Sequence, residues 1–238
     1  MVMAFATGDL FVTSSPAPSR SASSSSLSSD PLPYLERGSR AYWHAAIALL
    51  FAGYATFSLL YCVQPLLPEF TKTFGVSPAE SALSVSVTTA SLAVAIFIAG
   101  FVSEGWSRHR LMTLSLTASS LLTIIVAFLP GWHALLFVRA LEGLALGGVP
   151  AVAMAYLAEE VQPEGLGLAM GLYVGGTAIG GMAGRVISGI LADVFSWRVA
   201  IGGIGVLGLL ATLAFRALLP PSTMPACTRI CRRPSSRR

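Results

Sequence analysis

Apolar residues occupy this chain in long unbroken blocks, separated by short polar stretches. The blocks cover residues 42–63, 78–102, 111–129, 132–158, 165–191 and 199–219. At a rise of about 1.5 Å per residue, each is long enough as a helix to cross the roughly 30 Å hydrocarbon layer. Breakers stand between them. Pro65 and Pro68 follow the first block, Pro130-Gly131 the third and Pro220-Pro221 the sixth, where a ring-locked φ and a missing N–H stop a helix. The pattern predicts an all-α membrane protein with six transmembrane helices over residues 41–220. The second block is rich in Ser, Thr and Ala and is expected to pack on other helices more than on lipid. Residues 1–40 run through a serine-rich stretch at 21–29 and then Pro31 and Pro33. Such a segment buries too little apolar surface to offset its chain entropy and reads as a disordered tail. Residues 221–238 form a basic tail that resembles a frameshifted end more than a linker.

Composition sharpens this picture. Hydrophobic residues make up 54% of the chain and charged residues 11%, under half of the roughly 25% usual in soluble domains. Mean hydropathy is +0.73. The net charge of +4 does not point to nucleic acid, because the basic residues sit at the termini and in one loop rather than on the face of a soluble domain. Their distribution sets an orientation instead. Arg20, Arg37 and Arg40 precede the first block, Arg108 and Arg110 join the second and third, and Arg216 and five later arginines close the chain. With six spans, all of these fall on one side, which the positive-inside rule assigns to the cytoplasm, with both termini there. Cys62, Cys227 and Cys231 offer neither a disulfide framework nor a metal-ligand spacing. No metal or cofactor motif, phosphate loop or nucleophile elbow is present, so no enzyme is expected.

Several short stretches resemble one family. Gly100-Phe-Val-Ser-Glu104-Gly-Trp-Ser-Arg108-His-Arg110, between the second and third helices, is similar to the loop signature of the major facilitator superfamily. Gln64-Pro65-Leu66-Leu67-Pro68 and Arg139-Ala-Leu-Glu142-Gly143 resemble the same superfamily. So does Gly189-Ile-Leu191-Ala-Asp193 followed by Trp197-Arg198. The glycine ladder of the fifth helix is similar to the antiporter motif of its drug:proton branch, and the set as a whole to the arabinose-efflux-like permeases. Glu104 stands where Asp is usual, and Gly180-Gly181 and Gly184-Arg185 replace the usual Gly-Pro and Gly-Gly pairs. The resemblance implies one six-helix bundle, the N-terminal half of a twelve-helix secondary transporter, in a bacterial inner membrane. It also implies proton-coupled efflux of small molecules.

Charged and polar residues inside the blocks are the candidate functional groups. Arg139 and Glu142 are three apart on one helix, share a face and can pair. Intramembrane ions are functional candidates by default, and in the resembling family the fourth-helix arginine is linked to proton coupling. The alternative is a self-neutralised structural pair. Arg185, one position off the ladder Gly176, Gly180, Gly184, Ser188, either lines a cavity or pairs with an acid elsewhere. Tyr61, Gln64, Ser84 and Thr88 are cavity-lining candidates. Gly100, Glu104, Arg108 and Arg110 form a loop whose basic residues can bridge to Glu159 or Glu160 as a gate latch. Gly143, Gly147, Gly176, Gly180, Gly181 and Gly184 are expected at close helix contacts, with a hinge role for the fifth-helix set implied by the family. The expected partners are lipid, a small-molecule substrate, protons, and either a second copy or a separate C-terminal half. Two other readings stay open: a six-helix carrier acting as a homodimer, and a membrane fragment that transports nothing.

Overall fold

The computed structural model describes residues 35–102 and 107–219. The expected tails, apart from residues 35–40, and the loop acid Glu104 lie outside the described residues. Side chains at 100–102 are likewise undescribed, so Gly100 is placed only as a backbone position in a helix.

The helices are α1 (Arg40–Tyr61), α2 (Leu67–Phe74), α3 (Pro78–Val102), α4 (Arg108–Val126), α5 (Trp132–Leu146), α6 (Gly148–Glu160), α7 (Pro163–Val194) and α8 (Trp197–Leu218), with a single 3₁₀ turn at Gln64–Leu66. They form six spans long and apolar enough to cross a membrane. Local chemistry sets the boundaries. Ser39 Oγ accepts from Tyr42 N at 3.1 Å and opens α1. Ser77 and Glu80 form a reciprocal capping box, with Ser77 N donating to Glu80 Oε2 at 2.7 Å and Glu80 N to Ser77 Oγ at 3.2 Å. Ser196 opens α8 by accepting from Val199 N. Gly75, at φ 66°, closes α2 in the left-handed region, where a side chain would be strained.

One block divides where the sequence predicts a single helix, and a further short helix follows another block. Helix α1 ends at Tyr61, ahead of Pro65, and Pro68 lies in the first turn of the next helix, α2. A missing N–H costs nothing in a first turn, so the chain resumes a helix instead of leaving it. The fourth block breaks at Gly147 into α5 and α6. Pro150 has no N–H to return to the Leu146 carbonyl, and its ring crowds that carbonyl. The second block also departs from expectation. Only 17% of the apolar window of α3 is buried, against 67% for the span that begins at Arg40. Its hydroxyls Ser81, Ser84 and Thr88 are buried, but Val94, Ile96, Phe97 and Ile98 are exposed.

The central helix is α1, which packs along α7 and against α8. Helix α3 packs on α5, and α4 on α8 and α5. Two apolar clusters fill the interior. One, nearer the arginine-rich end, holds Tyr42, Leu49, Met112, Leu116, Tyr156 and Phe215. The other holds Leu59, Leu66, Phe70, Leu135, Trp197 and Ile201. At that opposite end, Phe70 meets the Trp197 ring edge-on at 5.4 Å, and Phe74 and Trp132 close around it. Large apolar side chains such as Phe128, Phe137 and Leu213 project outward, as expected where acyl chains are the solvent.

Candidate functional site

Arg139 and Glu142 lie one turn apart on α5, and both are 0% exposed. Arg139 Nη1 donates to Glu142 Oε2 at 2.8 Å. Its other nitrogens reach across the bundle. Nη2 donates to Leu60 O at 3.0 Å, Nη1 to Leu59 O at 3.4 Å and Nε to Ser84 O at 3.5 Å. Leu59 and Leu60 belong to the last turn of α1, where carbonyls have no partner within the helix and the helix dipole is negative. The guanidinium therefore caps α1 from α5. Thr123 of α4 donates to Glu142 Oε1 at 2.8 Å. One ion pair thus ties together α1, α3, α4 and α5 in the interior of the bundle. Arg198 does the same at the end of α4, donating to Ala127 O and Leu129 O, each at 3.1 Å.

Arg185 occupies a different setting. It is exposed on α7, donates through Nε to Gln64 Oε1 in a short contact, and donates through Nη1 to Gly181 O at 3.1 Å. Its guanidinium carbon lies 4.3 Å from the centre of the Tyr61 ring, a cation–π distance. Arg185, far along the sequence from Tyr61 and Gln64, therefore joins these two in one polar cluster where α1 ends against α7. Around it the α7 surface is apolar, with Ile179, Met182, Val186 and Ile190 exposed.

Ser84 and Thr88 are not part of that cluster. Both are fully buried on α3, and their hydroxyls donate to Ser81 O at 2.8 Å and Ser84 O at 2.9 Å within their own helix. They line the α3–α5 seam and not an open wall, because a hydroxyl bonded back into its helix lets the two helices approach closely.

At the arginine-rich end, Arg108 of α4 reaches Glu159 of α6, with Nη2 2.5 Å from Oε1 and side-chain exposures of 11% and 44%. Glu160 accepts from Leu35 N through its carbonyl at 2.7 Å, and Leu35 O accepts from Gln162 N at 3.3 Å, so the segment before α1 is laced to the α6–α7 junction. Arg110 points into a separate groove with Arg216. Charge reversal tests the Arg108–Glu159 contact. Arg108→Glu and Glu159→Arg should each lower the melting temperature in detergent, and the double reversal should recover at least half of the loss, a coupling of about 1 kcal/mol. A double variant as unstable as the summed singles would show that the two side chains are independent.

The glycines sort by neighbour. A Cβ on Gly176, Gly180 or Gly184 would run into the backbone of Leu50, Tyr54 or Ser58 on α1, and a Cβ on Gly143 or Gly147 into Thr88 or Ala95 on α3. Gly181 faces the Tyr61 ring instead. Sequence reasoning missed Thr123 and the α1 carbonyls. Thr123 ends a stripe of buried hydroxyls, Ser115, Ser119, Ser120 and Thr123, on one side of α4, and that spacing is a readable signal. Backbone carbonyls carry none.

Comparison with known proteins matches this arrangement to one family. The family described as Major Facilitator Superfamily matches residues 45–228. The chain is 47% identical over 189 residues to the uncharacterized MFS-type transporter YybF of Bacillus subtilis (strain 168), covering 79% of this chain and 47% of that protein. It is 43% identical over 194 residues to the inner membrane transport protein YnfM of Escherichia coli (strain K12), covering 82% and 46%. In fold it is similar to the crystal structure of the peptide transporter POT in complex with sulfate, with a TM-score of 0.66 at 15% identity over 78% of this chain and 42% of that one. The chain spans about half the length of the curated relatives it matches.

Proposed function

The chain belongs to the Major Facilitator Superfamily, a family of membrane transporters and not of enzymes, and on that premise we propose that it forms one six-helix wall of a proton-coupled exporter of small molecules. The observation that carries this reading is the exposed cluster of Arg185, Gln64 and Tyr61 on an otherwise apolar face of α7. A guanidinium facing acyl chains costs at least about 2.5 kcal/mol. That face is better placed against a water-accessible path, where Arg185 offers its remaining Nη2 donor to a substrate acceptor. The same side of α7 carries Gly167, Gly171 and Gly175, whose Cβ positions meet open space. We assign this stripe to contact with a second six-helix bundle, supplied by a C-terminal half.

In this reading Arg139 and Glu142 are the proton-coupling pair. Adding a proton to Glu142 would remove its ionic attraction for Arg139 and leave the guanidinium held mainly by the carbonyls of Leu59 and Leu60 on α1 and Ser84 on α3, so a proton would change how α5 grips α1. Arg108 and Glu159 act as a latch that opens when the substrate path opens toward the arginine-rich end. We place that end in the cytoplasm. Arg37, Arg40, Arg108, Arg110 and Arg216 lie there, against Lys72 and Arg198 opposite. YnfM is named as an inner membrane protein, which supports a bacterial inner membrane here.

Proteoliposomes with an imposed proton gradient and internal pyranine test the proposal. The chain alone should give no substrate-dependent proton flux across a panel of anionic, cationic and neutral small molecules. Co-reconstituted with the C-terminal half of YnfM, it should give flux for a subset, and Arg185→Ala should reduce that flux about tenfold or more. Flux from the chain alone would favour a homodimeric carrier. Undiminished flux in the Arg185→Ala variant would remove Arg185 from the path.

A further inference from the structure

Where α4 meets α8 at the arginine-rich end lies a groove of about 400 Å³, lined by His109, Arg110, Thr113, Leu114, Thr117 and Arg216. Two cations converge on it from different helices: Arg110 from the first turn of α4 and Arg216 from the last turn of α8. Both are exposed, and among the described residues neither has a carboxylate within ion-pair distance. His109 forms a fixed part of the floor, its ring stacked on Phe215 at 6.0 Å and 17°. Arg108, by contrast, is engaged with Glu159.

The wall residue Leu114 also borders a second groove, of about 490 Å³, between α3, α4 and α5. That trough is apolar and floored by small residues, among them Ala95, Ala99, Ala118 and Ala145, with Leu144 beside them. Arg110 and Leu114 are one helical turn apart, and Ala118 is one turn further from the helix start. A path from the cationic groove over Leu114 thus descends roughly 12 Å along the helix axis. Two guanidiniums beside one another repel unless an anion lies between them. Arginine holds phosphate oxygens through paired N–H donors. At the surface of a bilayer, with an apolar trough running inward from the same ridge, the matching anion carries acyl chains.

We propose that this face binds one anionic phospholipid, its phosphate between Arg110 and Arg216 and one acyl chain laid over Leu114 into the α3–α4–α5 trough. The proposal rests on the bundle spanning a membrane and is independent of the transport reading. Bound lipid bridges α4 and α8 through grooves that no α7 residue lines, fixing this wall of the bundle while leaving the Arg185 face free.

Native mass spectrometry of the full chain released from detergent measures the site directly. Titration with phosphatidylglycerol should give one retained lipid, bound about tenfold or more tightly than phosphatidylcholine. Arg110→Gln with Arg216→Gln should lower the phosphatidylglycerol affinity about tenfold or more. Arg37→Gln with Arg40→Gln, the same change of charge at the same end outside the groove, should leave it within about twofold. Inorganic phosphate at millimolar concentration should not displace the lipid. Leu114→Gln keeps both arginines and provides a second readout if the double variant does not fold. It should weaken the two-chain lipid while leaving the chain-free headgroup glycerophosphoglycerol unaffected. Equal losses in the two double variants, displacement by inorganic phosphate, or unchanged lipid binding in Leu114→Gln would each overturn the proposal.

Discussion

Arg139→Ala is expected to destabilise the folded bundle by about 3–5 kcal/mol, the cost of breaking a buried ion pair from one side. The substitution leaves Glu142 fully buried with only Thr123 as its partner. It also takes the guanidinium donor away from the carbonyls of Leu59 and Leu60 at the end of α1. Three helices that now meet through one guanidinium would meet through none. Cys62, buried beside these carbonyls and bonded to Leu59 O at 3.2 Å, gives the measurement. With Cys227 and Cys231 replaced by serine, thermal exposure of Cys62 to a thiol-reactive dye reports opening of this region. The parent should react late in the melt and Arg139→Ala early. Removing both charges, as Arg139→Leu with Glu142→Leu, should recover part of the loss, because the stranded carboxylate is gone while the α1 carbonyls stay uncapped. If Arg139→Ala melts within about 0.5 kcal/mol of the parent, the pair does not hold the helices together.

Gly180→Val should have a comparable effect for a steric reason. A Cβ at Gly180 would lie 2.5 Å from Tyr54 Cα and 2.7 Å from Tyr54 C. These are backbone atoms of α1 and cannot swing aside. A Cβ on Gly184 would lie 2.7 Å from Ser58 O, and one on Gly53 of α1 would lie 2.7 Å from Tyr173 O of α7, so the two helices are in near backbone contact over three turns. Any side chain at Gly180 forces them apart and loosens the whole α1–α7 seam. Overpacking usually costs about 1–3 kcal/mol, and a rigid backbone neighbour places this site at or above the top of that range. Gly171 on the same helix is the control, since its Cβ position meets open space. Gly171→Ala should leave stability unchanged or raise it by up to about 1 kcal/mol through helix propensity. Equal melting temperatures for Gly180→Val and Gly171→Ala would contradict the close-contact account.

These two sites differ in how far the sequence reveals them. The ladder Gly176, Gly180, Gly184 is legible because small residues four apart share a helix face. That the ladder meets α1, while Gly167, Gly171 and Gly175 on the same helix meet nothing, is not legible, since both sets have the same spacing. The ionic pair follows a similar rule. Arg139 and Glu142 are readable as partners from their separation of three residues. Their burial against the end of α1, and the exposure of Arg185 beside Gln64 and Tyr61, depend on helices that are distant in the chain. Polarity alone groups Ser84 and Thr88 with Tyr61 and Gln64, and the fold places them in a different seam.

The sequence by itself determined six membrane-crossing segments and their approximate ends, because span length and the exclusion of charge from hydrocarbon act locally on each block. It also determined which residues are too costly to leave facing lipid. Tertiary structure decided which helix each face meets, and so which charges are enclosed, which are open and which glycines lie against a neighbouring backbone. In a bilayer the solvent is itself apolar, and hydrophobicity cannot choose the neighbour. Close packing of small residues and a few hydrogen bonds across helices make that choice, and both are properties of pairs of helices.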